Sequence, residues 1–130
     1  MKNTIKGICW CGAVLLGSLT AGAGVPDAPD FQEFYHNELL SSANRALHAL
    51  DEKELGGISD QDFQLALKNE KWMVGELTSV CVEVLNKVEC KKLLDGEIDQ
   101  LEADYVDDAL EYREMRLLMD LYRSGYSLLK

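Results

Sequence analysis

Cys81 and Cys90 stand nine positions apart in "CVEVLNKVEC", inside a stretch whose apolar residues otherwise recur every three or four positions, as in an amphipathic helix. In an unbroken helix nine residues rise roughly 13 Å and turn through about 900°, which points the two side chains to opposite faces. A disulfide needs the Cα atoms within about 7 Å. A bond between these cysteines therefore demands a break in the helix. Asn86 offers one, because asparagine tolerates the left-handed conformation that ends helices. The expected arrangement is a local bond across a kink or turn. Free thiols on a straight helix, or a bond between chains through Cys90, are the alternatives.

The redox setting bears on the choice. Residues 1–23 carry Lys2 and Lys6, then an apolar run from Ile8 to Leu19, then Ala21-Gly22-Ala23. That order is the pattern of a cleaved secretory signal peptide. The run is shorter and richer in Gly than a membrane-spanning helix of about 20 apolar residues, so no stable membrane anchor is expected after cleavage. Neither Cys9 nor Cys11 is preceded by the small-residue pattern of a lipid attachment site. Cleavage after Ala23 removes Cys9 and Cys11 and leaves Cys81 and Cys90 as the only thiols of an exported chain, where disulfides persist. The expected location is periplasmic or secreted.

Residues 24–29, "GVPDAP", hold both prolines and read as an extended N-terminal arm. Residues 30–130 read as a single helical domain. A first helix is expected from Pro29 to about Leu50, with Phe31, Phe34, Tyr35, Leu39, Ala43, Ala46, Leu47 and Leu50 on one face. It ends in "LGG", and Ser59 can cap a second helix with Asp62 at its third position and Ile58 stapled against Phe63. The second helix carries Phe63, Leu67, Val74, Leu77, Cys81, Val84, Leu85 and Val88, but Leu93 and Leu94 fall out of phase. Gly96 in "DGEIDQLE" can take the left-handed position of a helix stop, with Asp99 and Glu102 capping a third helix that runs nearly to Lys130. The fold class is therefore all-α, a small antiparallel bundle of three long helices, or four if the second breaks near Asn86.

The stretch "DGEIDQLE" also resembles the second half of an EF-hand calcium loop, in which Gly96, Ile98, Asp99 and Glu102 match family positions. The resemblance implies Asp95, Asp99 and Glu102 as metal ligands, although Lys91 and Leu93 stand where the family places carboxylates. It carries the alternative reading of a degenerate EF-hand-like, calcium-responsive helical protein. Punctuation between helices explains the same residues with no metal. Glu33 and His36 form one Glu-x-x-His step, half of what a di-iron bundle requires, and His36 and His48 are too far apart to grip one ion. Ser41 and Ser42 have no neighbouring base and no G-x-S-x-G occurs. No catalytic residue, metal or cofactor is assigned, and the chain is not expected to be an enzyme.

Charge carries the remaining signal. The leader holds two lysines and no acid, so its loss takes the net charge from −10 to about −12. Such a surface repels nucleic acid and anionic lipid, both of which need a positive patch. From 95 to 112 there are eight acids and no base. Asp104, Tyr105, Asp107, Asp108, Glu111 and Tyr112 combine that charge with tyrosines, a residue type enriched at binding hot spots. These six are the expected interaction residues of a non-catalytic exported protein-binding module such as an adaptor, inhibitor or immunity-type protein. The partner expected is a protein with a basic surface, and a homodimer is a further option.

Overall fold

The structure is a computed structural model and describes residues 27–130. The signal peptide expected at 1–23 and residues 24–26 of the expected arm lie outside the described residues. Among those described there is no strand, and four helices are followed by a 3₁₀ turn: α1 Ala28–Glu54, α2 Asp60–Val84, α3 Lys87–Val106, α4 Tyr112–Arg123, then Ser124–Leu129. No described helix is long and apolar enough to cross a membrane.

The first reversal follows the expected chemistry. Leu55 closes α1, and Gly56 takes the left-handed position at φ 80°. The amide of Gly56 donates to Lys53 O and that of Gly57 to Glu52 O at 2.8 Å, the paired bonds of a Schellman stop. Ser59 then caps α2, its hydroxyl accepting from the Asp62 amide at 3.1 Å. Cross-helix partners fix the direction. Tyr35 meets Thr78, Ser42 meets Glu70, and Lys53 meets Asp60. Their numbers rise on one helix as they fall on the other, so α1 and α2 are antiparallel.

The second helix breaks where the cysteines required it. It ends at Val84, and Cys81 and Cys90 are bonded across the corner with Cα atoms 6.0 Å apart. Asn86 works differently from the expectation: at φ −179° it is extended, and its side chain caps α3 by accepting from the Glu89 amide at 2.9 Å. The bond closes a loop of ten residues, a constraint worth about 2 to 3 kcal/mol in the chain-entropy picture.

The expected stop at Gly96 is absent. α3 runs straight through it, with Cys90, Leu94, Ile98 and Leu101 as its buried face. The apparent phase slip at Leu94 is the register of this separate helix. The expected long third helix instead breaks at 107–111, and with the break near Asn86 that the four-helix alternative required, the described residues form four helices. α4 contributes Leu118, Leu121 and Tyr122 to the core. Tyr105 stacks near Tyr112 and Asp95 meets Tyr126, so α3 and α4 run antiparallel and the connectivity is up-down-up-down.

The C-terminal 3₁₀ turn packs against α2 and α3 and fills the gap between them. A side chain on Gly125 would lie 2.8 Å from Thr78 Oγ1 and 2.9 Å from Leu94 Cδ2. Thr78 cannot easily yield, since its hydroxyl donates to Val74 O and accepts from the buried Tyr35 phenol. Burial pushes that phenol up to about 12 and keeps it a donor.

The two glycines should answer oppositely to alanine. Gly125→Ala overpacks the junction and is expected to cost about 1 to 3 kcal/mol. Gly96, helical and with open space around it, should gain up to about 1 kcal/mol as Gly96→Ala. Denaturant melts of both variants check the pair. A loss at Gly96 would restore the turn.

Candidate functional site

All six expected interaction residues gather at the α3–α4 turn. α3 ends at Val106, and Asp107 donates its amide to Ala103 O. Asp108 then takes the left-handed conformation at φ 61°. Its amide donates to Tyr105 O at 3.1 Å, and the Ala109 amide donates to Asp104 O at 2.8 Å. This is the same Schellman stop as at Gly56, with an aspartate in the glycine position. On the far side Glu111 starts α4, where its amide donates to Glu114 Oε1 at 2.9 Å as half of a capping box.

The reversal changes what the two tyrosines can do. Seven positions apart on one helix they would lie about 10 Å apart along its axis. Across the turn their ring centroids are 6.0 Å apart, tilted at 58°. Both remain exposed, Tyr105 at 39% and Tyr112 at 55%, beside Val106 at 76%. Leu55, 84% exposed, stands at the same end of the bundle, which the ion pair from Arg113 to Glu54 ties together. Exposed carboxylates of Asp107, Asp108 and Glu111 edge this apolar tip, and Asp104 accepts from Gln100 at 2.9 Å. Arg113 also donates to Glu111 at 2.8 Å, and the Arg116 guanidinium lies 5.7 Å from the Tyr112 ring centre.

The alternative calcium set falls on a helix rather than on a loop. Asp95, Asp99 and Glu102 lie within continuous α3, so the turn and the backbone carbonyl that an EF-hand loop supplies do not exist there. Asp95 is engaged by Tyr126 and by Lys91 at 3.0 Å, and these hydrogen bonds hold its carboxyl below the usual range. Among the described residues no group of three or more His, Cys, Asp or Glu side chains is placed to hold a metal. His36 Nδ1 donates to the Glu97 carboxylate 2.8 Å away, tying α1 to α3. His48 faces Glu52 on the surface of α1.

A second polar group was overlooked in the sequence. Glu70 falls on the α2 stripe between Leu67 and Val74, and it is buried. It accepts from Ser42 at 2.8 Å and from Arg45 Nε at 2.9 Å. One turn before Ser42, Glu38 is 1% exposed with no hydrogen-bond partner for either carboxylate oxygen. Burial raises its carboxyl to about 7, with nearby Arg45 opposing the shift. The signal was available: a carboxylate at the three-to-four spacing of an apolar stripe, facing an arginine on the neighbouring helix. The paired charge ties α1 to α2 across their interface.

The chain matches no protein-family model, and neither a curated protein nor a solved structure shows significant similarity to it.

Two outcomes are expected. Asp108→Gly should keep or raise stability by up to about 1 kcal/mol because glycine accepts positive φ without strain. Asp108→Val should lose about 1 to 2 kcal/mol. Thermal melts decide, and equal melting of both would contradict the left-handed stop. Glu38 has a folded pKa above its unfolded value, so the folded state holds the extra proton between pH 4.5 and about 7. Stability should therefore fall as pH rises through that window, by at most about 3 kcal/mol. Glu38→Gln should flatten the fall and be the more stable form at pH 8, as measured by urea midpoints across pH.

Proposed function

We propose that this chain is a non-catalytic exported binding protein, of adaptor, inhibitor or immunity type, that docks a basic protein surface on the α3–α4 tip. The observation that carries the reading is the exposed Tyr105–Tyr112 pair, followed by the exposed Val106 and by the acidic residues of the turn. An apolar centre with a polar rim is the anatomy of a protein interface, and tyrosine is a preferred anchor within one. Neither ring is needed inside the core, so their exposure is a cost in solubility that packing does not explain.

The sign of the partner follows from the charge. Asp107, Asp108 and Glu111 stand together at the tip, in a chain of net charge −10. Such a field speeds encounter with a cationic surface and discourages anionic ones. The left-handed aspartate fits the same view. A glycine at 108 would serve the turn better and carry no charge, and positions that keep local strain cluster where proteins bind. The location outside the cytoplasm is supported by the leader pattern at 1–23 and by the buried Cys81–Cys90 bond.

The test is capture from periplasmic extract on the immobilised protein at about 50 mM and about 500 mM salt. A basic protein should be retained at low salt and released at high salt. Tyr105→Ala and Tyr112→Ala should each weaken its binding about tenfold or more, with melting temperatures unchanged. Absence of any partner at both salt levels would end the proposal.

A further inference from the structure

The side of α4 away from its buried face carries a second regular stripe, of which only Met119 also touches the core. Leu118, Leu121 and Tyr122 turn inward, and Glu114 is buried with them. Tyr112, Arg116, Met119 and Arg123 follow one another at spacings of four, three and four, which places them on a single line along the opposite side. Tyr112, Arg116 and Arg123 are exposed, and Met119 is half-buried against the core. Arg116 and Arg123 make no ion pair among the described residues, although the chain has ten more acids than bases. The four form one wall of a cleft of about 520 Å³ whose lining also includes Leu50, Phe63 and Leu117.

The stripe complements itself. When two α4 helices are laid antiparallel about a two-fold axis between 117 and 118, each residue meets the one whose number completes 235. Tyr112 of one copy then faces Arg123 of the other, and Arg116 faces Met119. The first pairing sets a guanidinium against an aromatic face, and the second sets an arginine stem against a thioether. The same alignment brings Arg123 toward the acidic residues Asp107 and Asp108 at the partner's tip. Every contact occurs twice, as a closed isologous interface requires.

We infer that α4 is a self-association face, on which a second copy of this chain pairs antiparallel through Tyr112, Arg116, Met119 and Arg123. A twelve-residue helix buries less surface than a permanent dimer needs, so the pairing is weak and reversible. It shares Tyr112 with the tip described above, so pairing and capture of a foreign partner compete for that ring. The inference does not depend on a foreign partner existing.

Sedimentation equilibrium of the exported protein, disulfide intact, from about 5 to about 500 μM tests it. A monomer–dimer equilibrium is expected, weakened by salt. Arg123→Glu and Tyr112→Lys should each weaken it about tenfold. The double variant Tyr112→Lys/Arg123→Glu should restore it, because the symmetry then rebuilds two Lys–Glu contacts. In the geometric arm, Arg116→Cys lies near its own copy and should cross-link under mild oxidation. Lys68→Cys, on the outward side of α2, should not. A monomer at every concentration, or a dimer indifferent to Arg123→Glu and unlinked through 116, overturns the inference. A monomer that still captures a basic protein through Tyr105 would leave the tip reading standing, and a dimer without any foreign partner would leave only the pairing.

Discussion

The corner at Leu85–Asn86 decides where the second half of the molecule goes. Two devices hold it, the Cys81–Cys90 bond and the Asn86 side chain that caps α3. With the corner closed, α3 returns along the bundle, and its buried face of Cys90, Leu94, Ile98 and Leu101 joins the same core as Tyr35, Leu39 and Leu77. α4 then descends between established neighbours, and the α3–α4 turn arrives at the end of the bundle that the α1–α2 turn already occupies. Without that corner, the long helix implied by the spacing of 63 to 88 would carry Cys90 and everything after it away from α1.

Much of this was legible from spacing. The apolar stripes of α1 and of most of α2 coincide with the buried residues, and Gly56 and Ser59 mark the first turn as their chemistry suggests. The errors share a cause. Glycine is the usual residue at a helix stop, which points to a turn at Gly96 that does not form, and aspartate is the rarer occupant of the left-handed position that Asp108 takes. Neither residue type decides the matter alone. What decides is whether the stripe on each side of the turn can be buried. Leu94, Ile98 and Leu101 form one face only if the helix continues through Gly96, while Leu110 and Leu118 reach the core only if it stops after Val106.

The tip was legible as a composition and not as a shape. Eight acids and two tyrosines between 95 and 112 say that something charged and aromatic is on display. They do not say that a reversal brings Tyr105 within 6.0 Å of Tyr112. A continuous helix would have kept the rings separate, each a lone aromatic on a solvated face. The turn converts them into a patch, and the buried Glu70 with Ser42 and Arg45 shows the contrasting use of charge in the same chain. There the carboxylate is satisfied and locked between helices, and its role ends with their seating.

Gly125 gives the molecule an unusual distribution of local stability. Chain ends ordinarily fray at little cost, and amide protection decays toward them. Here the 3₁₀ turn is the filler between α2 and α3, against Thr78 and Leu94, and it is tied to α3 by Tyr126 donating to Asp95 and by Lys87 donating to the Lys130 carbonyl. Lifting it would uncover the threonine that holds Tyr35 and open the interior behind the disulfide corner. The packing of α2 against α3 is therefore complete only when residues 31 to 47 positions further along the chain have come back to join them.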